Sequence, residues 1–178
     1  MLVSIPAYLV IPAGSSMKND EMFIRPAAQS DLSAIRLLFR DTILATNRKE
    51  YTENQLNAWA SGWQNEDRWL KKFYSQQFFI VQKGKEILGF GSLEKNGYLD
   101  YLYVQKDHQR KGIASLLYNA IEKHAALLGL SRITVNASLT AKPFFARWGF
   151  SEMAMQTVRV NGVDLVNISM EKFIIFQA

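Results

Sequence analysis

The sequence of 178 residues contains no cysteine, so disulfide bonds, thiolate nucleophiles and cysteine metal sites are excluded. It has only two histidines, His108 and His124. A zinc site usually takes about four ligands, mostly from cysteine and histidine. We therefore expect no bound metal. A bilayer span needs about 20 consecutive apolar residues, and no stretch of this sequence has them, so we also expect no membrane partner.

The sequence also lacks a recognisable signal peptide. Residues 1–13, MLVSIPAYLVIPA, are apolar, but they have no basic start and are interrupted by Pro6 and Pro12. A signal peptide needs a charged first region followed by an unbroken apolar core. We therefore expect a cytoplasmic protein.

The length favours one domain with a short appendage. We expect residues 1–21 to be an N-terminal extension and residues 22–178 to form the domain. Two interpretations of the extension stay open. It is either a strand-like arm that packs on the domain or on a neighbour, or an artefact of the gene model with the natural start at Met17 or Met22.

Acidic residues are fewer than basic ones, 16 against 21, and the net charge is +5. A basic chain can bind small anions, nucleic acid or an acidic partner. The lysines and arginines are scattered, however, with no contiguous basic patch and no recognition helix, so we expect no nucleic-acid binding. The 48% of apolar residues suffice for a sizeable core.

Hydrophobic periodicity predicts alternating blocks of helix and strand. Ser30 is the expected N-cap of the first helix, and Thr52 and Asn65 are expected to cap the next two. In chain order we predict a strand at 22–26, helices at 32–43, 52–60 and 65–73, strands at 78–82, 87–94 and 98–104, a helix at 113–128, a strand at 132–138, a helix at 141–150 and a hairpin at 155–171. This order indicates a mixed sheet with helices on both faces, a three-layer α/β fold.

The hexapeptide QRKGIA, residues 109–114, lies between a predicted strand and the strongest predicted helix. A helix start exposes unpaired backbone N–H groups and the positive end of the helix dipole. Gly112 removes a side chain at that point, and Arg110 and Lys111 add positive charge. These features suit a phosphate. On this segment alone, a solvated basic turn is an equally good interpretation.

The surrounding sequence resembles the GCN5-related N-acetyltransferase superfamily, in particular a bacterial branch of small acetyltransferases. Gln109, Gly112 and Ala114 occupy the three defined positions of its cofactor motif, Q/R-x-x-G-x-G/A. FIRPA (23–27) is similar to its first strand, and NASLTAKPFFARWGF (136–150) to its second cofactor segment. The resemblance covers residues 22–173. It implies an acyl-CoA N-acyltransferase fold with a mostly antiparallel, centrally splayed sheet.

The resemblance implies acetyl-CoA as cosubstrate, lying in the cleft where the sheet splays. Backbone groups of Leu102, Tyr103 and Val104 would pair with the pantetheine arm and the thioester carbonyl. Backbone N–H groups of the loop and helix start would hold the pyrophosphate. The residues expected at the cofactor are therefore Leu102, Tyr103, Val104, Gln109, Arg110, Lys111, Gly112, Ile113, Ala114, Ser115, Asn136, Lys142 and Phe145.

The implied reaction is acetyl transfer to a primary amine by direct attack in a ternary complex, which needs a base. Asp100 interrupts an apolar strand, and a buried charge is costly without a partner, so it is the first candidate and Glu94 the second. An exposed or salt-bridged aspartate is the alternative. Phe145 stands where the family often has a tyrosine that protonates the leaving thiolate. The absent tyrosine leaves a second hypothesis open, a non-catalytic sensor that binds acetyl-CoA.

The acceptor side is expected to be aromatic. In this family the helices that carry Phe39, Tyr51, Trp59 and Trp63 line the acceptor, and such rings can surround an apolar or cationic amine. Ordinary core packing is the alternative for all four. The sequence leaves the acceptor open, as a small-molecule or peptide amine, and it leaves open whether the protein forms a homodimer.

Overall fold

Seven strands form one mixed sheet in the computed structural model, which describes residues 21–174. The strands are β1 (Met22–Pro26), β2 (Gln76–Lys83), β3 (Glu86–Glu94), β4 (Tyr98–Val104), β5 (Arg132–Ser138), β6 (Ser151–Val160) and β7 (Val163–Phe173). Their order is β1-β2-β3-β4-β5-β7-β6, and only β4 and β5 run parallel. All seven strands were predicted, with ends displaced by a few residues at most. The expected extension at residues 1–21 lies outside the described residues except for Glu21.

Five α-helices cover the two faces of the sheet: α1 (Leu32–Thr46), α2 (Glu53–Ala60), α3 (Glu66–Ser75), α4 (Ile113–Leu127) and α5 (Lys142–Arg147). The predicted caps of α2 and α3 are confirmed, since Thr52 accepts from the N–H of Gln55 and Asn65 from the N–H of Arg68. The expected cap at Ser30 is wrong. Ser30 lies inside a short 3₁₀ turn, and Asp31 precedes α1.

Strand β2 shows why helices cover both faces. Its four-residue run Phe78, Phe79, Ile80 and Val81 is at most 2% exposed. Side chains of a strand alternate between faces, so Phe79 and Val81 join one apolar core with α4 and α5, while Phe78 and Ile80 join the other with α1, α2 and α3. The three-layer prediction is confirmed. Within residues 21–174, no helix is both long and apolar enough to cross a membrane.

Two glycines bring α4 close to β3. A Cβ built on Gly89 would lie 2.9 Å from Cγ2 of Ile113, and one on Gly91 would lie 2.8 Å from Cδ1 of Ile121. Both distances are shorter than real Cβ contacts, so the helix can lie this close only because these positions carry no side chain. The packing places the first turn of α4 directly over the end of β4.

The sheet is split in its middle, which creates the site. Strands β4 and β5 pair only through Tyr98 with Thr134 and Leu99 with Val135, and then diverge. The split begins at a bulge, because Tyr101 pairs with Ser92 of β3, whereas Leu99 pairs with Leu93. The residue between them, Asp100, has no opposite partner. A bulge bends its strand and increases its twist, so the bulge accounts for the divergence. The predicted central splay is confirmed.

Candidate functional site

A cleft of about 1040 Å³ occupies the gap between β4 and β5. It extends from the split in the sheet to the first turn of α4 and to α5. Most residues that the sequence placed at a cofactor line it. These are Leu102, Tyr103, Val104, Gln109, Arg110, Gly112, Ala114, Ser115, Asn136 and Phe145.

The backbone of β4 presents polar groups to this cleft at alternate residues. The N–H of Gln105 donates to the carbonyl of Leu88 at 2.8 Å, which makes Val104 and Gly89 a non-hydrogen-bonded pair of the antiparallel ladder. The backbone groups of Tyr103 therefore point towards β3, and those of Leu102 and Val104 point away from β3 into the cleft. The expectation that Tyr103 offers its backbone to a ligand is wrong for this reason.

The carbonyl of Val104 is already occupied. It accepts from Oγ1 of Thr42 at 3.0 Å and from Nε2 of Gln109 at 2.6 Å, which uses both of its lone pairs. The side chain of Gln109 thus ties the loop to the end of β4. The free backbone groups of this strand in the cleft are the N–H and carbonyl of Leu102 and the N–H of Val104.

The loop before α4, residues 109–112, and the first turn of the helix have the features of an anion-binding site, which we call the anion seat. Arg110 and Gly112 both have positive φ, 59° and 81°. This conformation is strained for arginine and unstrained for glycine. Gly112 is the N-cap of α4 and offers no side-chain acceptor, so the N–H groups of the first turn are left without a cap. A Cβ on Gly112 would meet nothing within 4 Å, which shows that the space in front of the helix is open.

The arginines of the chain fall into two groups, according to whether the guanidinium group has a hydrogen-bond or ion-pair partner. Five form ion pairs with Asp or Glu, and Arg48 donates to the carbonyl of Leu44. Within residues 21–174, the guanidinium groups of the remaining three, Arg68, Arg110 and Arg147, make no hydrogen bond or ion pair. All three line cavities: Arg110 and Arg147 the cleft, and Arg68 a second pocket described below. Sequence reasoning missed Arg147, because α5 is too short to show which face is buried.

Three residues expected at the cofactor do not line the cleft with their side chains. Lys111 donates to the carbonyl of Asp107 at 3.2 Å, and Ile113 is 1% exposed in the core. Lys142 forms an ion pair with Glu152 of β6 at 2.8 Å. The expectation that Lys142 faces the cofactor is therefore wrong, because an acidic partner on a distant strand holds its ammonium.

Phe145 occupies the position that the resemblance assigns to a tyrosine. Its ring is 2% exposed and packs against the rings of Phe144 and Phe150, with centroids 5.4 and 5.2 Å away. A phenyl ring cannot donate a proton, and no hydroxyl replaces it at this point. The phenol of Tyr118, on α4, cannot serve instead, because it lines neither cavity and donates to Glu122.

A second pocket of about 390 Å³, the side pocket, lies between β4, the helices α2 and α3 and the β6–β7 hairpin. Phe39, Tyr51 and Trp59 line it as expected. Trp63 lines neither cavity, so its expected role is wrong. Its ring instead packs under the guanidinium groups of Arg36 and Arg40, 5.8 and 4.9 Å from the ring centre.

The cleft and the side pocket meet at four residues that line both: Trp59, Asp100, Tyr103 and Asn136. Among the described residues that line the cleft, Asp100 is the only carboxylate, and its side chain is 13% exposed. Oδ2 accepts from the ammonium of Lys72 and from Nε2 of Gln76. Asp100 is therefore salt-bridged, as the alternative interpretation of the sequence had it. Its other oxygen, Oδ1, has no protein partner within the described residues.

Glu94, the other candidate base, accepts from the same amide, Nε2 of Gln76, at 3.1 Å. It lines neither cavity. The structure therefore brings Asp100 to the junction of the two cavities and leaves Glu94 outside.

The three tyrosines of β4, which all line the side pocket, are held in the protonated form. Burial, followed by the charge of Asp100, raises the pKa of Tyr98 to about 12. Burial also raises the pKa of Tyr101 and of Tyr103 well above the usual value. These phenols are therefore neutral at physiological pH and can donate a hydrogen bond.

One buried polar atom at the side pocket has no partner. The side-chain oxygen Oδ1 of Asn167, on β7, is fully enclosed and accepts no hydrogen bond within residues 21–174. Native proteins rarely leave such an atom unsatisfied. Asn167 is one of the residues that line the side pocket.

The cleft, the anion seat and the fold agree with the comparisons with known proteins. The model of the acetyltransferase (GNAT) domain matches residues 47–172. The chain is 32% identical over 147 residues to the uncharacterized N-acetyltransferase YafP of Escherichia coli K12, covering 83% of this chain and 93% of YafP. A GCN5-related N-acetyltransferase from Rhodopseudomonas palustris superposes with a TM-score of 0.82 at 31% identity, covering 85% of this chain and 94% of that one.

A more distant structure shares the fold. The PaiA N-acetyltransferase of Thermoplasma acidophilum, in complex with coenzyme A, gives a TM-score of 0.68 at 18% identity over 86% of this chain and 99% of that one. The family model spans well over half of the chain, and YafP exceeds 30% identity over most of it. The chain therefore belongs to the GNAT acetyltransferase family, and it is an acyltransferase.

Proposed function

We propose that this protein transfers the acetyl group of acetyl-CoA to the primary amine of a small acceptor by direct attack in a ternary complex. The observation that carries the proposal is the meeting of two cavities at Asp100, Trp59, Tyr103 and Asn136. One cavity ends at an uncapped helix start and the other has aromatic walls. A thioester that enters from the first would meet an amine that enters from the second.

The cleft suits the cofactor at both ends. Uncapped N–H groups at the start of α4 and the unpaired Arg110 and Arg147 would hold the phosphates. The free N–H and carbonyl of Leu102 and the N–H of Val104 would pair with the amides of an extended pantetheine arm. A backbone N–H aimed at the thioester oxygen would stabilise the tetrahedral oxyanion.

Asp100 would hold the ammonium of the acceptor and take up one proton. Lys72 and Gln76 fix its Oδ2, which leaves Oδ1 for the amine. The neutral amine then forms the new C–N bond, and the C–S bond breaks to release the coenzyme A thiolate. The second proton of the attacking nitrogen then passes to the thiolate, and the hydroxyl of Tyr103, which stays neutral at the junction, would relay it.

The sensor hypothesis remains the second candidate, because Phe145 supplies no acid in the place where the family often has one. The two hypotheses agree on cofactor binding and differ on turnover. Release of free thiol from acetyl-CoA in the presence of a panel of primary amines separates them. Turnover with any amine supports the transferase, and tight cofactor binding with no turnover on the whole panel favours the sensor.

The two candidate bases provide a matched pair of variants. Asp100→Asn and Glu94→Gln each remove one carboxylate that accepts from Gln76, but only Asp100 lines the cavities. We expect Asp100→Asn to lose thiol release and Glu94→Gln to retain it. Equal losses in the two variants would refute the placement of the reaction at the junction.

A further inference from the structure

The side pocket contains a positive charge that acetyl transfer to an amine does not require. We propose that the acceptor is a small amino carboxylate, bound with its ammonium at Asp100 and its carboxylate at Arg68. This inference rests on the proposed function and adds the chemical class of the acceptor. An apolar body would join the two charged groups across the aromatic walls.

Arg68 is placed at the pocket by the first turn of α3. Its backbone N–H donates to Oδ1 of Asn65, the N-cap, at 2.9 Å. Its Nη1 lies 3.9 Å from the position of a Cβ on Gly62, and the same position is 3.8 Å from the ring of Phe39. The guanidinium of Arg68 and the ring of Phe39 therefore both lie beside Gly62 in the wall of the side pocket.

The guanidinium of Arg68 makes no hydrogen bond or ion pair within the described part of the chain. The two other arginines whose guanidinium groups are unpaired, Arg110 and Arg147, line the cleft in which the phosphates of acetyl-CoA are proposed to bind. Arginine binds carboxylate through two parallel hydrogen bonds. An unpaired arginine at the wall of a ligand-sized pocket is therefore suited to an anionic group of the ligand.

The positive and negative charges act on the same phenol of the pocket. Burial is the main cause of the raised pKa of Tyr101, the charge of Asp100 raises it further, and the charge of Arg68 lowers it. Both charges are thus close to Tyr101, whose ring stacks on Trp69 with centroids 4.8 Å apart. The pocket offers a negative partner, a positive partner and an apolar surface close together.

The size and the remaining polar group of the pocket fit the same ligand class. A volume of about 390 Å³ is at the small end of the range for ligand pockets, about 300–1,000 Å³. The side-chain amide of Asn167 is a further polar group among the lining residues. A polyamine would instead bring a second ammonium towards Arg68, and like charges repel.

The test compares acceptors that differ only in the carboxylate. Steady-state thiol release is measured with L-phenylalanine against 2-phenylethylamine, with 6-aminohexanoate against pentylamine, and with spermidine. We expect at least one acid to have a kcat/KM about tenfold above that of its partner amine, which corresponds to about 1.4 kcal/mol. Spermidine should be the poorer substrate.

The variant Arg68→Gln should reduce the preference for the acid over its partner amine to about twofold or less, chiefly by lowering the kcat/KM of the acid. Arg68→Lys should keep part of the preference. Arg48→Gln is the matched control, because Arg48 is also exposed and lines neither cavity. Thermal unfolding of each variant checks that it is folded.

The inference is refuted if neither acid has a higher kcat/KM than its partner amine, if the higher kcat/KM of the acid survives in Arg68→Gln, or if spermidine is the best acceptor. Turnover of amines without a carboxylate preference would leave the transferase intact and remove this inference alone. If coenzyme A binds but no compound is acetylated, calorimetry on the protein saturated with coenzyme A decides between the acids and the amines. Equal binding of the two then overturns the inference, and tighter binding of an acid, lost in Arg68→Gln, supports it.

Discussion

Replacing Gly112 by glutamate separates the stability of the fold from the affinity of the anion seat. The φ of 81° makes any side chain there cost about 1 kcal/mol of unfolding free energy. Nothing lies within 4 Å of a Cβ at this position, so no clash adds to that cost. A negative charge at a helix N-terminus returns about 0.3–1 kcal/mol. We therefore expect the free energy of unfolding, measured with urea, to fall by less than about 1 kcal/mol.

The affinity for coenzyme A should fall far more. At about 5 Å and an effective dielectric constant of about 20, a carboxylate and one phosphate charge repel by about 3 kcal/mol. This weakens the Kd by about a hundredfold, which isothermal titration calorimetry measures directly. Gly112→Ala has the same strained φ without the charge, and its loss of affinity should be much smaller.

Gly129 is the matched control at the other end of α4. It has a φ of 69° and open space around its Cβ position, so Gly129→Glu carries similar backbone strain. It lies far along the helix from the cleft, and its variant should bind coenzyme A as the natural protein does. If Gly112→Glu bound coenzyme A as tightly as Gly129→Glu, the phosphates would not lie at the start of α4.

Three further outcomes follow from named contacts. Asp100→Asn should lower kcat/KM by about 10²–10⁴-fold with the Kd for coenzyme A unchanged; a loss confined to cofactor binding would contradict its role as the base. Tyr51→Phe should lower the free energy of unfolding in urea by about 1–3 kcal/mol. The reason is that the hydroxyl donates to the carbonyl of Val166 at 2.7 Å and accepts from the N–H of Leu139 at 2.9 Å. An unchanged urea midpoint of unfolding would show that water replaces the hydroxyl. Burial lowers the pKa of His124, so the unfolded state binds the proton first as pH falls, and stability should decrease on acidification from about pH 7 towards pH 5. His124→Gln should lack this part of the pH dependence, and identical slopes for the two proteins would refute the assignment.

The fold could be predicted from local patterns because each element carries its own signal. The segment YLDYLYV predicted β4 at its observed bounds, and RITVNAS did the same for β5. The Thr52 capping box fixed the start of α2. Helix and strand periods, turn glycines and caps all act within a few residues, so they are readable in the sequence.

The phosphate end of the site was the easiest part to predict, because one short motif supplies it. Arg110, Gly112 and the first turn of α4 lie in one segment, and the structure places them at the cleft. The prediction for Lys142 failed because its ammonium pairs with Glu152 of β6, and an ion pair between two elements leaves no local signal in the sequence. The aromatic residues Phe39, Tyr51 and Trp59 of the side pocket were predicted, but its polar residues Arg68 and Asn167 were not, because they lie far apart in the sequence and belong to no shared motif.

The bulge at Asp100 leaves the chain with a strand edge inside its own sheet. An outer edge with free N–H and carbonyl groups invites other proteins to add a strand and aggregate. Here the free groups of Leu102 and Val104 face a narrow cleft, where a neighbouring sheet cannot enter but a slender, flexible chain can. A ligand that completes this edge should slow hydrogen exchange at these two amides while leaving the amide of Tyr103, already paired with β3, unchanged.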